Sequence, residues 1–358
     1  MHKTKVIILQ QILPKYRVNF FNELNKKIHL TLYTSHKGLE KSIYTVFDNI
    51  NFKKRLIKNL TYKNILSFQF LPFKKLFSKE LIIFEFNLRI ISNILLLSLR
   101  LLANKKNILW THGITENMSS VSKFIRIFFM KRACSIIVYE ISGKNNLIKL
   151  GVPENKIFFV KNSIDIKEVI KFKDTNQKKF RVTFIGRVIK DKNVLLLCKS
   201  FVNILDKIDP SVTLTIIGDG EELENLKKQF CINSRIEFIG NLHDEKKISH
   251  YLNQTLFTIS PDYLGLSIIH SFCYSVPILI NKNPKIKHSP EIELFHQNKN
   301  GWYFDGSQNN FEYKIIECLK NRENLIVFGQ NGFNKVKSEY GIEVMVKFFI
   351  QAIKSCYH

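Results

Sequence analysis

Short apolar runs alternating with longer helical patterns constrain this chain more than any other feature of it. KVIILQ, IHLTLYT, LIIFE, NILW, SIIVYE and IFFV occupy the first half; RVTFIG, LTIIG, IEFIG, LFTIS, VPILI and WYF occupy the second. Most are apolar at successive rather than alternate positions, so the strands they predict are covered on both faces, as in a parallel sheet flanked by helices. Two such sets predict an α/β chain of two doubly wound domains. The 358 residues suffice for two domains of ordinary size, each with its own core. The junction is expected near NSIDIKEV, dividing the chain into 1–165 and 166–340, with Lys171 to Lys179 as a polar connection. Residues 341–358 then form a closing helix packed back toward the first domain. Between strands, GKNNLIKLG closes on Gly151 ahead of Pro153, and EELENLKKQF starts with acids and ends near lysines, as capping and the helix dipole favour.

Composition narrows the class. With 45% hydrophobic residues and no low-complexity run, the chain is globular and not disordered. MHKTKVIILQ has a basic start but an apolar run too short for a secretory core, so it reads as a first strand. The most apolar window, IISNILLLSLRLLA from Ile90 to Ala103, is too short to cross a bilayer and carries Asn93 and Arg100; no transmembrane helix is expected. The cysteines are scattered without CxxC spacing, which predicts a reducing cytoplasm and no zinc site.

Charge is unevenly spread. Residues 1–165 hold 28 Lys and Arg against 9 Asp and Glu, net +19 of the chain's +25. The excess gathers in FKKRLIKNLTYK, FKKLFSK and KFIRIFFMKR, where Phe52, Phe73, Leu76, Phe77, Phe124, Ile127, Phe128 and Phe129 interleave with the cations. A solvated basic face is one reading. A nucleic-acid surface is a second, but no recognisable module accompanies it. An anionic membrane surface is the third and preferred one, because cations attract the lipid while aromatic and aliphatic side chains sink into the interface. The expected location is therefore cytoplasmic and peripheral, on the inner face of the cell membrane.

Ligands of open α/β sheets sit beyond the carboxyl ends of strands. After RVTFIG come Arg187 and Lys192, two cations able to converge on a diphosphate, or else a solvated charge run. After LTIIG, Gly218, Asp219 and Gly220 open a helix, offering backbone N–H groups or merely a tight turn. After LFTIS, Gly265 permits close backbone approach and Leu266 to Tyr274 begins a helix aimed at the same crevice.

FIGRVIKDKNVLLLCKSF, LTIIGDGEELENLKK, IEFIGNLHDEKKISHYL and SPDYLGLSIIHSFCYSVPILI, in this order over roughly residues 180–305, resemble the donor-binding domain of the retaining glycosyltransferases of family 4, a GT-B group. In the first half, QQILPKYRVNFFNEL resembles the opening strand, loop and helix of relatives that extend surface polysaccharides, and ILWTHGI resembles a loop carrying an active-site His. The resemblance implies two Rossmann-like domains facing across a cleft, a nucleotide-sugar donor held mainly by the second, retention at the anomeric carbon, and neither metal nor cofactor. It matches Arg187 and Lys192 to a pair that contacts the donor diphosphate and His112 to the His near the transferred sugar. Asp262 and His270 stand where the family usually carries two Glu residues, the first reaching the sugar and the second the ribose. Asp262 keeps a carboxylate; His270 offers a neutral ring nitrogen as acceptor, or is a structural His. The implied donor site comprises Gly186, Arg187, Lys192, Gly218, Asp262, Gly265, Leu266, Ser267, His270 and Glu291, with Glu291 alternatively a helix-start acid. Tyr16, Arg17, Glu85, Asn87 and Arg89 are assigned to the acceptor side, with an internal ion pair as the alternative for the last three. His112, Arg187, Lys192 and Asp262 are the expected catalytic set. The function implied is sugar transfer to a glycan or lipid-linked glycan in bacterial surface polysaccharide assembly. A catalytically silent scaffold and another sugar-nucleotide or phosphorylase-like enzyme on this fold are the alternatives.

Overall fold

The computed structural model describes residues 3–39, 45–114 and 118–357. Two compact units emerge: residues 1–162 together with 342–358, and residues 163–341.

The first unit contains strands β1 (Lys5–Leu9), β2 (His29–Thr34), β3 (Lys53–Leu56), β4 (Asn59–Tyr62), β5 (Leu66–Gln69), β6 (Leu81–Glu85), β7 (Asn107–Thr111), β8 (Ser135–Val138) and β9 (Ile157–Phe159). Its helices are α1 (Lys15–Lys27), the single turn α2 (Phe73–Leu76), α3 (Ile91–Leu102), α4 (Ser120–Arg132) and α5 (Ile141–Lys149). A parallel sheet runs β3-β2-β1-β6-β7-β8-β9, and β4 pairs with β5 as a separate antiparallel hairpin. Strand alternation explains the apolar runs: Val6 and Ile8 of β1 enter one core with α1, whereas Ile7 and Leu9 enter the other with α3, α4 and α5. Helix α5 ends as its sequence predicts. Gly151 takes φ +78°, and the N–H groups of Gly151 and Val152 turn back onto Ile148 and Leu147.

The second unit contains α6 (Ile166–Ile170), β10 (Arg181–Ile185), α7 (Val194–Asn203), β11 (Thr213–Ile217), α8 (Leu223–Phe230), β12 (Ile236–Gly240), α9 (Glu245–Leu252), β13 (Thr255–Ser260), α10 (Ser267–Cys273), β14 (Ile278–Asn281), β15 (Gly301–Phe304), α11 (Gln308–Lys320) and α12 (Arg322–Glu339). Its parallel sheet runs β12-β11-β10-β13-β14-β15. The last helix, α13 (Ile342–Lys354), lies in the first unit, where Phe349 meets Phe20 and Trp110 with centroids 4.8 and 4.9 Å away.

The structure redistributes the basic and aromatic segments. Phe52, Leu76 and Phe129 are core residues, so they are unavailable to a surface; Phe77, Phe124 and Phe128 are exposed. FKKRLIKNLTYK forms edge strand β3 and the first arm of the hairpin, and cations on an edge strand discourage further strand pairing. Arg100 is fully buried on α3, and its guanidinium is consumed by the carbonyls of Leu76, Ser78, Glu80 and Lys106 and by Asn107 Oδ1. Among the described residues no helix is long and apolar enough to cross a membrane.

Candidate active site

Strand order reverses in the second unit between β10 and β13, so the loops leaving those strands define a crevice at the carboxyl edge. Gly186 and Gly218 lie in direct backbone contact there: a Cβ on Gly218, whose φ is +148°, would sit 1.7 Å from the Gly186 carbonyl oxygen. Next along the first loop, Asn193 adopts φ +50° and caps α7 by accepting from the Leu196 N–H. Lys192 is buried just before it. Its ammonium donates to the Tyr263 carbonyl at 2.7 Å, stands 4.4 Å from the Tyr263 ring centroid and lies beside Gly265. Burial first, and the Arg187 charge second, lower the Lys192 pKa to about 8 against the opposing pull of Asp191 and Glu291.

Asp262 follows β13. Burial raises its pKa above the ordinary carboxylate value, although hydrogen bonds from Asn193 and Asn281 oppose the shift. The Asn281 amide, at the end of β14, donates to Asp262 Oδ1 at 3.0 Å and to the Pro261 carbonyl at 2.8 Å. His288 braces the same loop. Its Nε2–H donates to the Asn281 carbonyl at 2.8 Å, and Nδ1 accepts the Leu264 N–H at 3.0 Å. Both bonds require one neutral tautomer, and burial also lowers this imidazole's pKa. Replacing His288 with Ala leaves the Leu264 N–H without that acceptor, and the expected cost is about 1–3 kcal/mol of urea-unfolding stability. An unchanged urea midpoint would remove His288 from this bracing role. Glu291 is buried in a short 3₁₀ turn, Pro290–Leu294, near enough for its charge to act on Lys192.

Leu266 and Ser267 open α10, which carries His270. The His270 ring is held from outside its own helix: Nε2 stands 2.9 and 3.1 Å from the two oxygens of Glu245, in the first turn of α9. Tyr274 donates to the same carboxylate at 2.6 Å. Burial works to raise the Glu245 pKa, but the bond to His270, the His270 charge and the Tyr274 bond together hold it below its ordinary value. His270 is thus one member of a carboxylate, imidazole and phenol cluster that its local sequence does not disclose.

In the first unit the strand order reverses between β1 and β6. The residues after those strands converge. Glu85 accepts the Gln11 N–H at 2.6 Å; burial raises the Glu85 pKa against the opposing effects of that bond and of Arg17. The Arg17 guanidinium, in the first turn of α1, lies 4.3 Å from the Trp110 ring centroid and 5.6 Å from that of Tyr16, and donates to the Tyr139 hydroxyl at 2.5 Å. His112 faces Tyr139 with centroids 4.9 Å apart. His112 is exposed, yet the surrounding protein mass, then Arg17 and Arg126, lower its pKa and so favour the neutral ring. Asn87 and Arg89 are occupied elsewhere: Asn87 accepts the Arg89 N–H, while the Arg89 guanidinium binds the Asn64 and Ile65 carbonyls of the hairpin turn. Tyr16, Arg17, Glu85 and His112 therefore belong together, with Trp110, Tyr139 and Gln11 as partners that sequence reading did not identify. The acid that Arg17 meets is Glu85, across 68 residues of chain.

Residues 165–335 match the family of glycosyl transferases group 1. The matched stretch lies within the second unit and covers just under half of the chain. Among similar proteins are the uncharacterized glycosyltransferase MJ1069 of Methanocaldococcus jannaschii, 24% identical over 63% of this chain and 59% of that protein, and the O-antigen biosynthesis glycosyltransferase WbnH of Escherichia coli, 26% identical over 60% and 55%. The matches thus span less than two thirds of these relatives. Similar solved structures include Anabaena Alr3699/HepE in complex with UDP, at a TM-score of 0.73 and 14% identity over 98% of this chain and 100% of that one. The lipopolysaccharide outer core galactosyltransferase WaaB, in its apo form, gives 0.65 and 15% over 98% and 99%. These likenesses show the fold, two Rossmann-like domains of the GT-B kind.

Proposed function

We propose that this chain is a retaining glycosyltransferase that moves a sugar from a nucleotide donor to a glycan or lipid-linked glycan in the assembly of a bacterial lipopolysaccharide or capsule. The observation that carries the reading is the pairing of buried Lys192 with Arg187 at the reversal of strand order, beside the Asp262 carboxylate and the Gly186–Gly218 backbone contact. Two cations there would offset the charge that builds on a leaving nucleoside diphosphate, without requiring a metal. Asp262 would accept hydroxyl hydrogen bonds from the sugar, and Glu291 would support donor or nucleotide binding. In the first unit, neutral His112 can exchange hydrogen bonds with a sugar hydroxyl, while Tyr16, Arg17 and Glu85 form an acceptor surface. The match to glycosyl transferases group 1, the O-antigen relatives and the structural neighbours with UDP and UDP-glucose support this reading.

The test is turnover across a panel of UDP-, GDP-, ADP- and TDP-sugars, followed by NMR of the product's anomeric centre. Release of one nucleotide with formation of a product of the donor's own anomeric configuration is expected. Tight nucleotide binding with no turnover on any donor would instead support the silent scaffold. We also assign the chain to the cytoplasmic face of an anionic membrane, because the first domain concentrates the positive charge.

A further inference from the structure

Two neighbouring elements of the first unit carry apolar side chains on their exposed faces. Helix α3 buries Leu96 and Leu97 in the core together with Ser92, Asn93 and Arg100, yet leaves Ile91, Leu95, Leu99 and Leu102 exposed at 44%, 48%, 40% and 86%. Those positions share one stripe of the helix. The β4–β5 hairpin goes further, with a polar buried face. Ser67 and Gln69 are buried, Ser67 receiving the Gln11 side-chain amide and Gln69 donating to Ser35 Oγ, while the opposite face carries Leu60, Tyr62 and Leu66 in the open. The Gln69 N–H bonds to Ser92 Oγ at 3.0 Å, and Ser67 bridges to Ile90, so the hairpin and α3 adjoin through their polar sides.

A solvated face would carry polar side chains at these positions. We propose that this α3–hairpin face is a lipid-docking surface whose occupant is an anionic bilayer, with the α3 stripe lying in the interface. The inference rests on the membrane reading above and replaces its contact set. Charge selects the occupant: residues 49–79 and 86–115 contain no Asp or Glu, while Lys58, Lys63, Lys79, Lys105 and Lys106 lie in or beside these elements. A second copy docked by two-fold symmetry would set this cationic surface against itself. An anionic lipid surface instead complements it, with the exposed aliphatic residues entering below the headgroups.

The test places a tryptophan at Leu95 or, separately, at Phe124, since Trp110 and Trp302 are both buried. Each variant is mixed with vesicles of phosphatidylglycerol or phosphatidylcholine, with and without brominated acyl chains. Leu95→Trp is expected to shift to the blue and be quenched by brominated phosphatidylglycerol vesicles. The double substitution Leu95→Gln, Leu99→Gln is expected to weaken partitioning by at least about tenfold while leaving donor turnover on a soluble acceptor intact. Binding with quenching at Phe124→Trp but none at Leu95→Trp overturns this face and leaves membrane association standing. No binding to either vesicle overturns both. A lipid-independent blue shift that grows with protein concentration assigns the face to a second copy and also overturns the proposal.

Discussion

Replacing Lys192 with Ala is expected to lower kcat/KM for the nucleotide-sugar by about 10²–10³-fold, the usual loss when one preorganised donor to a developing negative charge is removed. The pH dependence identifies the group. With a pKa brought down to about 8, Lys192 is charged at pH 7 and neutral above that value. Donor capture that needs its charge should therefore fall as pH rises through about 8, and kcat/KM reports this limb because it reads the free enzyme. Lys192→Arg keeps a cation that does not titrate in this range, so its residual activity should lack the limb. An Ala variant within about threefold of the parent, or a basic limb that survives Lys192→Arg, would move the diphosphate contact away from Lys192.

What the sequence discloses about this chain depends on how far the deciding contact lies along it. Strands such as β1 and β8 are apolar at successive positions because helices cover both faces, so they are legible without a structure. Strand β3 is not, since an exposed edge tolerates Lys53, Lys54 and Arg55 and so erases the hydrophobic signal. The same mixture of Lys with Phe hides which side of a segment faces inward, and Phe52, Leu76 and Phe129 therefore read as surface residues although they are core. Arg187, Lys192 and Asp262 are readable because each lies in a loop that leaves the carboxyl end of a strand, and such loops border the crevice whatever surrounds them. The roles of Asn281 and His288 are not, because the loop they hold belongs to the preceding strand. Glu245 is harder still. Nothing near His270 announces a carboxylate arriving from another helix.

That carboxylate makes an outwardly conservative change at position 270 a damaging one. His270→Glu would bring the residue more usual in the resembled family, but it would also set a second carboxylate against Glu245, whose oxygens stand 2.9 and 3.1 Å from the present imidazole. Like charges in a half-buried site cannot both remain ionised cheaply, so the pair should titrate with one pKa raised well above the unfolded value. The sign follows. A group with a raised folded pKa stabilises below its unfolded pKa and loses that contribution as pH rises through the folded one. Glu245 belongs to that pair, because replacing His270 also removes the bond and the charge that lower the Glu245 pKa. Relative to His270→Gln, which retains an N–H donor for Glu245, His270→Glu is expected to cost about 2–4 kcal/mol at pH 8 and clearly less at pH 5. Adding Glu245→Gln to His270→Glu should recover most of the loss, since one carboxylate then faces an amide that can donate to it. Urea unfolding of the four proteins at both pH values measures this. Equal stability of His270→Glu and His270→Gln at pH 8 would mean that Glu245 swings free of residue 270 in solution, and that the imidazole is available on both of its nitrogens.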